Sequence, residues 1–224
     1  TNLHTKGLPM LFGIDVSYHQ EWIDWHKVST SGVRFAIIKA SEGETYVDPM
    51  FEQNMRGAAE AGIVTGTYHF FLPRYDPLTQ ARHYVKTLQQ VAGDHPTLPP
   101  CVDIETPGLG KTGLNQALKV FLEEIFKLTG RTGMIYVSPG FWSSYLPVPT
   151  LSGYKLTSSG VDWAAEHPLW VAHYTTGWPY QVYPWVGWAF WQYSSSGKIA
   201  GIRTRVDLDL FSGCAQDLAT LVQA

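Results

Sequence analysis

Residues 100–105 read Pro-Cys-Val-Asp-Ile-Glu, a short apolar run that finishes with two carboxyl groups. Seven comparable runs occur elsewhere in the chain. The eight runs lie at residues 11–16, 34–39, 64–71, 100–104, 133–137, 169–173, 188–193 and 206–211. Short runs of this kind, rich in β-branched and aromatic residues, are typical of strands. Eight of them predict an eight-stranded barrel.

Helical spacing of apolar residues lies between the early runs, over residues 51–59, 81–88 and 114–128. Strands that alternate with helices indicate parallel strands with the helices outside. Six prolines between residues 139 and 184 leave room only for short helices later in the chain. The predicted fold class is α/β: an irregular TIM-like (β/α) barrel, with regular strand-helix units in its first half and a β-rich, helix-poor second half.

The 224 residues contain no internal repeat, low-complexity tract or linker-like stretch. We therefore expect a single domain over residues 1–224, with residues 1–10 as a loose N-terminal arm. The two cysteines, Cys101 and Cys214, match no metal-ligand spacing, and a disulfide between them and two separate thiols both remain open.

Composition excludes several classes of partner. Charged residues make up 16% of the chain, the net charge is -3 and the basic residues form no runs, so nucleic acid is not expected to bind. No apolar stretch approaches the roughly 20 residues that span a bilayer, and no secretion signal is visible in this chain.

Neither a phosphate loop nor a metal-binding histidine spacing is present, so we expect no cofactor and no metal. A monomer is the default expectation.

Acidic residues stand near the ends of three of the predicted strands. They are Asp15, Asp103, Glu105, Asp207 and Asp209. The functional face of a parallel barrel lies where its strands end, so we expect these acids to line the mouth of the barrel. Alternation along a strand sends Asp103 and Glu105 to one face, and Asp207 and Asp209 likewise share a face.

Asp103 and Glu105 are spaced for acid-base chemistry. Two carboxyl groups about 6–7 Å apart at the backbone perturb each other, so that one tends to be ionised and the other protonated near neutral pH. Glycoside hydrolysis requires this combination, with Glu105 as the proton donor and Asp103 as the stabilising carboxylate. The alternative for an isolated Asp-x-Glu sequence is a structural role, as a helix cap or a partner of Lys39.

Several further residues are candidate substrate contacts. Tyr68 and His69 point to opposite faces, and we expect Tyr68 to face the barrel interior. Lys39 is predicted either to hold a carboxyl group ionised or to form a structural ion pair. The candidates for sugar contacts, for each of which an ordinary core position is the alternative, are Tyr136, Ser138, Trp191 and Tyr193.

Six segments together resemble the lysozymes of glycoside hydrolase family 25, the Chalaropsis-type muramidases. They occur in the family's order at residues 13–17, 35–43, 66–70, 103–105, 191–194 and 206–211. The resemblance extends from Leu11 to Phe211 and so covers nearly the whole chain.

The resemblance implies cleavage of the β-1,4 bond between N-acetylmuramic acid and N-acetylglucosamine in bacterial peptidoglycan, with net retention, by an extracellular enzyme. Glu105 matches the family's catalytic acid and Asp103 its second carboxylate, which acts either as a nucleophile or by orienting the substrate's acetamido group. Asp15 and Asp207 match the other two acids of the site. Asp209 stands where the family usually has Asn, which makes the site one charge more negative.

Two other functions remain open on the sequence. A chitinase-like barrel hydrolase also uses acids on one strand, but it usually carries a longer series of alternating acids than Asp103 and Glu105. A catalytically inactive wall-binding protein keeps the cleft without turnover. Substitution of Glu105 separates this last alternative from an enzyme.

Overall fold

The computed structural model describes residues 10–91, 97–152 and 155–223, with only the backbone described for residues 152, 155 and 156. The predicted arm at residues 1–10 lies outside these residues, except for Met10, which begins the first strand. The strands are β1 (Met10–Val16), β2 (Phe35–Glu42), β3 (Tyr46–Val47), β4 (Val64–Phe70), β5 (Cys101–Asp103), β6 (Met134–Val137), β7 (Leu151–Ser152), β8 (Lys155–Leu156), β9 (Leu169–Ala172), β10 (Phe190–Gly197) and β11 (Val206–Ser212).

Eight of these strands close a barrel in the order β1, β2, β4, β5, β6, β9, β10 and β11, and β11 pairs back onto β1. The pairings from β1 round to β10 are parallel. β11 is antiparallel to both of its neighbours. The predicted irregular (β/α) barrel and its eight strands are therefore confirmed, although β11 runs in the opposite direction to the other barrel strands.

Helices surround the barrel. They are α1 (Trp25–Thr30), α2 (Phe51–Glu60), α3 (Pro77–Val91), α4 (Gly110–Thr129), α5 (Pro139–Tyr145) and α6 (Ala215–Gln223). The predicted helical segments fall within α2, α3 and α4. The short α5 begins with Ser138 as its N-cap and Pro139 as its first residue, a combination that favours a helix start.

The core has two layers because both faces of the barrel strands are buried. Phe35, Trp170 and Phe190 lie in a cluster inside the barrel. Ile14 and Ile38 lie in a larger cluster between the outer surface of the barrel and the helices. A strand such as β2 therefore has buried apolar residues on both faces, as expected for this architecture.

Gly13 provides a test of how tightly the barrel interior is packed. A Cβ atom at this position would lie 2.4 Å from ring atoms of Phe35, which is fully buried. We expect Gly13→Ala to lower the free energy of unfolding by about 3 kcal/mol, because neither the strand nor the ring has room to move. Urea unfolding measures this. Gly140→Ala is the control, since its Cβ would meet nothing within 4 Å; an equal loss of stability in both variants would contradict the packing argument.

No helix within the described residues is long and apolar enough to cross a membrane. The two cysteines are not bonded to each other; Cys101 is buried and Cys214 is half-buried. The sequence left open a disulfide or two separate thiols, and the structure has two separate thiols.

Candidate active site

A polar pocket of about 200 Å³ opens at the mouth of the barrel, where the parallel strands end. The acids Asp15, Asp103, Glu105 and Asp207 all line it. The structure thus brings together the four residues that the sequence identifies as candidate catalytic acids. The other lining residues are Tyr68, Tyr136, Trp170, Tyr174, Gln192 and Ser195.

Asp103 and Glu105 occupy this pocket because β5 ends between them. Asp103 is the last residue of β5, and the backbone N–H of Ile104 donates to the carbonyl of Tyr136 on β6. Ile104 is buried in the outer core, which leaves the acids on either side of it facing inward. Their carboxyl groups are in hydrogen-bonding contact with each other.

This contact and the surrounding protein alter the acidity of both groups. Burial and the neighbouring charge of Glu105 raise the pKa of Asp103 well above its usual range. Burial also raises the pKa of Glu105, while the hydrogen bond from Asp103 and the charge of Lys39 oppose that increase. The pair therefore retains a proton at pH values where isolated carboxyl groups have lost theirs.

Gln192 connects Asp15 to two tyrosines across the pocket. Its side-chain N–H donates to Asp15 Oδ2 at 2.7 Å. Its Oε1 accepts hydrogen bonds from the hydroxyl groups of Tyr136, at 2.9 Å, and Tyr174, at 2.8 Å. Sequence reasoning missed Gln192 and Tyr174. Gln192 could have been found from the sequence, because it is a polar residue within the apolar run at residues 188–193.

Asp207 faces Asp15, because the two residues are paired between β11 and β1. Burial is the main cause that raises the pKa of Asp207 to about 6. Burial, followed by the charges of Asp209 and Asp207, raises the pKa of Asp15 well above its usual range. The three carboxyl groups therefore form one interacting group on the side of the pocket formed by β1 and β11.

Asp209 does not lie at the barrel mouth. Because β11 is antiparallel, the residues that follow Asp207 lead down into the barrel, and Asp209 is paired with Gly13. Its side chain has 0% exposure, contacts Asp15 and accepts a hydrogen bond from the indole of Trp170 at 2.8 Å. The expectation that Asp209 contacts substrate is corrected: it lies beneath the pocket, where burial raises its pKa to about 7.

The buried position of Asp209 predicts a pH-dependent effect on stability. The pKa of Asp209 is higher in the folded protein than in the unfolded chain. Its contribution to the free energy of unfolding is therefore fully favourable below about pH 4 and is lost as the pH rises through about 7. Asn has no charge to bury. We expect Asp209→Asn to match the wild type at pH 4 and to be more stable by roughly 2–4 kcal/mol at pH 8.

Urea unfolding at the two pH values measures this difference. Glu60→Gln, at an exposed position of α2, is the control and should show no such pH-dependent gain. A gain of equal size for Asp209→Asn at pH 4 and pH 8 would mean that ionisation of Asp209 is not the cause.

Trp191 and Tyr193 lie on the face of β10 opposite to Gln192. Trp191 is buried in the outer core, and its indole N–H donates to the carbonyl of His173 at 2.8 Å. Tyr193 packs beside it, with ring centroids 5.8 Å apart. The structure therefore does not bring these predicted sugar contacts to the pocket, because the barrel interior is on the other side of the strand.

Tyr68 faces the pocket as predicted, and its ring packs edge-on against Trp170. His69 points outward, where its Nδ1 lies 2.9 Å from the Ser41 hydroxyl oxygen and its Nε2 lies 3.3 Å from Gln80 Oε1. Burial lowers the pKa of His69 to about 3, so this side chain is neutral and belongs to the outer core.

Lys39 combines both of the roles considered for it. Its ammonium group pairs with Glu42 at 2.8 Å and lies 4.8 Å from the centre of the Phe70 ring. Its charge also lowers the pKa of Asp103 and of Glu105, against the effect of burial. It lines a separate cavity of about 490 Å³ rather than the acidic pocket itself.

A cavity of about 540 Å³ continues from the acidic pocket. Glu105, Tyr136 and Tyr174 line both, and Ser138 lines only the larger cavity. The Ser138 hydroxyl oxygen accepts the backbone N–H of Phe141 as the cap of α5, at 3.1 Å. The pocket and this cavity together form a groove, with Asp15, Asp103 and Asp207 at one end and Glu105 where the two cavities meet.

A barrel whose mouth carries a buried Asp103 beside an exposed Glu105, in a groove that admits an extended ligand, has the arrangement of a glycoside hydrolase. Within the described residues, no group of three or more His, Cys, Asp or Glu side chains is arranged to hold a metal ion. Acid-base chemistry by carboxyl groups is what this arrangement supports directly.

Comparisons with known proteins agree with this class. Residues 14–202 match the family model described as glycosyl hydrolases family 25. The chain belongs to this family and is a glycoside hydrolase. It is 36% identical to the uncharacterized protein YegX of Escherichia coli K12, over 95% of this chain and 73% of that protein. It is 35% identical to Lysozyme M1 of Streptomyces globisporus, over 93% of this chain and 70% of that protein.

The fold also matches a solved structure. The crystal structure of the bacterial lysozyme from Streptomyces coelicolor superposes with a TM-score of 0.82 and 33% sequence identity. The match covers 97% of this chain and 98% of that chain. The superposition therefore extends over almost the whole of both folds.

Proposed function

We propose that this protein is a muramidase that hydrolyses the β-1,4 bond between N-acetylmuramic acid and N-acetylglucosamine in the glycan strands of bacterial peptidoglycan. The observation that carries the proposal is the contact between Asp103 and Glu105 in an open pocket of the barrel mouth. Membership of a family that includes lysozymes supports the substrate. We propose residues 1–224 as a single catalytic domain that acts as a monomer outside the cell, where peptidoglycan lies.

Glu105 is the proposed general acid. It lines both the acidic pocket and the adjoining cavity, so a glycan lying along the groove passes directly over it. In the first step its proton goes to the glycosidic oxygen as the bond from that oxygen to the sugar C1 breaks. In the second step the Glu105 carboxylate removes a proton from the water that attacks C1, which restores the acid.

Asp103 is the proposed orienting group rather than a covalent nucleophile. A retaining nucleophile lies about 5 Å from the acid, on the opposite side of the bond that is cut. Asp103 instead contacts Glu105 on the same side of the pocket. The oxygen of the substrate's own 2-acetamido group then forms the temporary bond to C1, with Asp103 holding that group, and water displaces it with net retention.

Asp15 and Asp207 are proposed to stabilise the positive charge that develops on the sugar ring. They occupy the side of the pocket formed by β1 and β11, and Gln192 fixes the orientation of Asp15 through its bond of 2.7 Å. Tyr68, Tyr136 and Ser138 are the proposed substrate contacts in the pocket and groove, with Lys39 acting on the acids through its charge.

The test is digestion of purified peptidoglycan, followed by borohydride reduction and mass spectrometry of the new ends. We expect reduced muramic acid. Reduced glucosamine ends would indicate cleavage of the other glycosidic bond, and released peptides would indicate a different class of enzyme. Proton NMR of the first product formed then gives its anomeric configuration, and an α-configured product would contradict retention.

A further inference from the structure

The loop between β9 and β10, residues 173–189, exposes several large aromatic side chains. Trp178 is 64% exposed and Tyr180 is 72% exposed. Exposed aromatic side chains that lie close together commonly mark a binding surface, because their apolar area otherwise faces water without compensation. The mechanism proposed above uses neither residue.

Contacts with neighbouring side chains hold the rings of Trp178 and Tyr180 in position. The ring of Trp178 lies 6.2 Å from Trp188 and 6.2 Å from the buried Trp191. The backbone N–H of Tyr180 donates to the ring of His173 at 3.2 Å, and the two rings lie 4.4 Å apart. Since the rings are already ordered by these contacts, binding a ligand on their open faces costs little side-chain entropy.

The surface is continuous with the groove that leads from the acids. Tyr180 and His173 line the cavity of about 540 Å³ that Glu105 also lines. Trp191, against which Trp178 packs, donates its indole N–H to the carbonyl of His173. A linear polymer that leaves the acids through this cavity therefore passes Tyr180, and Trp178 lies two residues earlier on the same loop.

The chemistry of the loop favours a neutral ligand. Residues 173–189 contain no Asp, Glu, Lys or Arg. A peptide stem that carries free carboxyl and amino groups would find no charged partner on the loop. The faces of pyranose rings present C–H groups to aromatic rings, and their hydroxyl groups remain in water at the edges, which suits open Trp and Tyr faces.

We propose that Tyr180 and Trp178 form a binding surface for additional sugar rings of the glycan strand, beyond those that occupy the acidic pocket. The inference rests on the proposed function and specifies a preference for long glycan strands. Contact of one sugar ring with an aromatic face is worth roughly five- to tenfold in affinity.

The experiment compares kcat/KM on peptide-free glycan strands of two lengths: tetrasaccharides and long strands. We expect Trp178→Ala to lower kcat/KM on long strands by roughly five- to tenfold and to leave tetrasaccharide cleavage at the wild-type rate. Tyr180→Ala provides a second variant, with a loss expected on long strands. Trp22→Ala is the matched control, because Trp22 is 59% exposed but lines a cavity beside α1 and α2.

Three results would overturn the inference. These are unchanged cleavage of long peptide-free strands by both variants, an equal loss for Trp178→Ala on both lengths, and a loss that appears only in a parallel assay on long strands that carry their peptides. In each of these cases the wild type still cuts both substrates, so the proposed function stands. Failure of the wild type to release muramic acid ends from either strand would overturn the proposed function, and the inference with it.

Discussion

Glu105→Gln is expected to lower the rate of peptidoglycan hydrolysis by about 10²–10⁴-fold, the usual contribution of a general acid. Gln has almost the same shape but carries no proton that it can give to a leaving oxygen. The effect belongs to the chemical step, so kcat falls and binding to insoluble peptidoglycan persists. Release of reducing ends from purified peptidoglycan measures the rate.

The same variant distinguishes an enzyme from a wall-binding protein. Glu105 is exposed, so the substitution should leave the urea unfolding midpoint close to that of the wild type. Glu60→Gln, at an exposed position of α2, is the matched control and should retain full activity. Wild-type activity in Glu105→Gln would remove this residue from the mechanism.

Asp103→Asn is expected to lower kcat by about 10²–10³-fold and also to change the pH profile. In the wild type the two carboxyl groups share a proton, and Asp103 is the more deeply buried of the pair. An Asn side chain donates a permanent N–H to Glu105 and stabilises its carboxylate, which lowers the pKa of Glu105. The alkaline limb of the kcat profile should therefore move to lower pH.

A covalent role for Asp103 makes a different prediction. If Asp103 were the nucleophile, external azide would restore turnover of Asp103→Asn and give a glycosyl azide product. The orienting role predicts no rescue by azide, together with the shifted alkaline limb. An unshifted limb with azide rescue would contradict the proposed role of Asp103.

Much of the site could be predicted because its signals are local. Asp103 and Glu105 are two residues apart at the end of an apolar run, so alternation alone places them on one face. The same argument correctly separated Tyr68 from His69. These inferences needed only the position of a strand end, and the strands themselves were marked by short apolar runs.

The sequence did not show which face of β10 points into the barrel. A barrel strand covered by protein on both faces is apolar on both, so Trp191 and its neighbours carry no pattern that says which side is the interior. The reversal of β11 did leave a signal. Only residues 198–205 separate it from β10, which is too short for the dozen or more residues that a parallel crossover needs.

The pairing of β11 with β1 joins the last strand of the barrel to the first, and Asp207 meets Asp15 at that seam. Two of the four acids are therefore far apart in the chain and become neighbours only when the barrel closes. A growing or truncated chain that lacks β11 has an open sheet edge and lacks Asp207, one of the four acids that line the pocket. The set of four acids that lines the pocket is therefore complete only when the fold is complete.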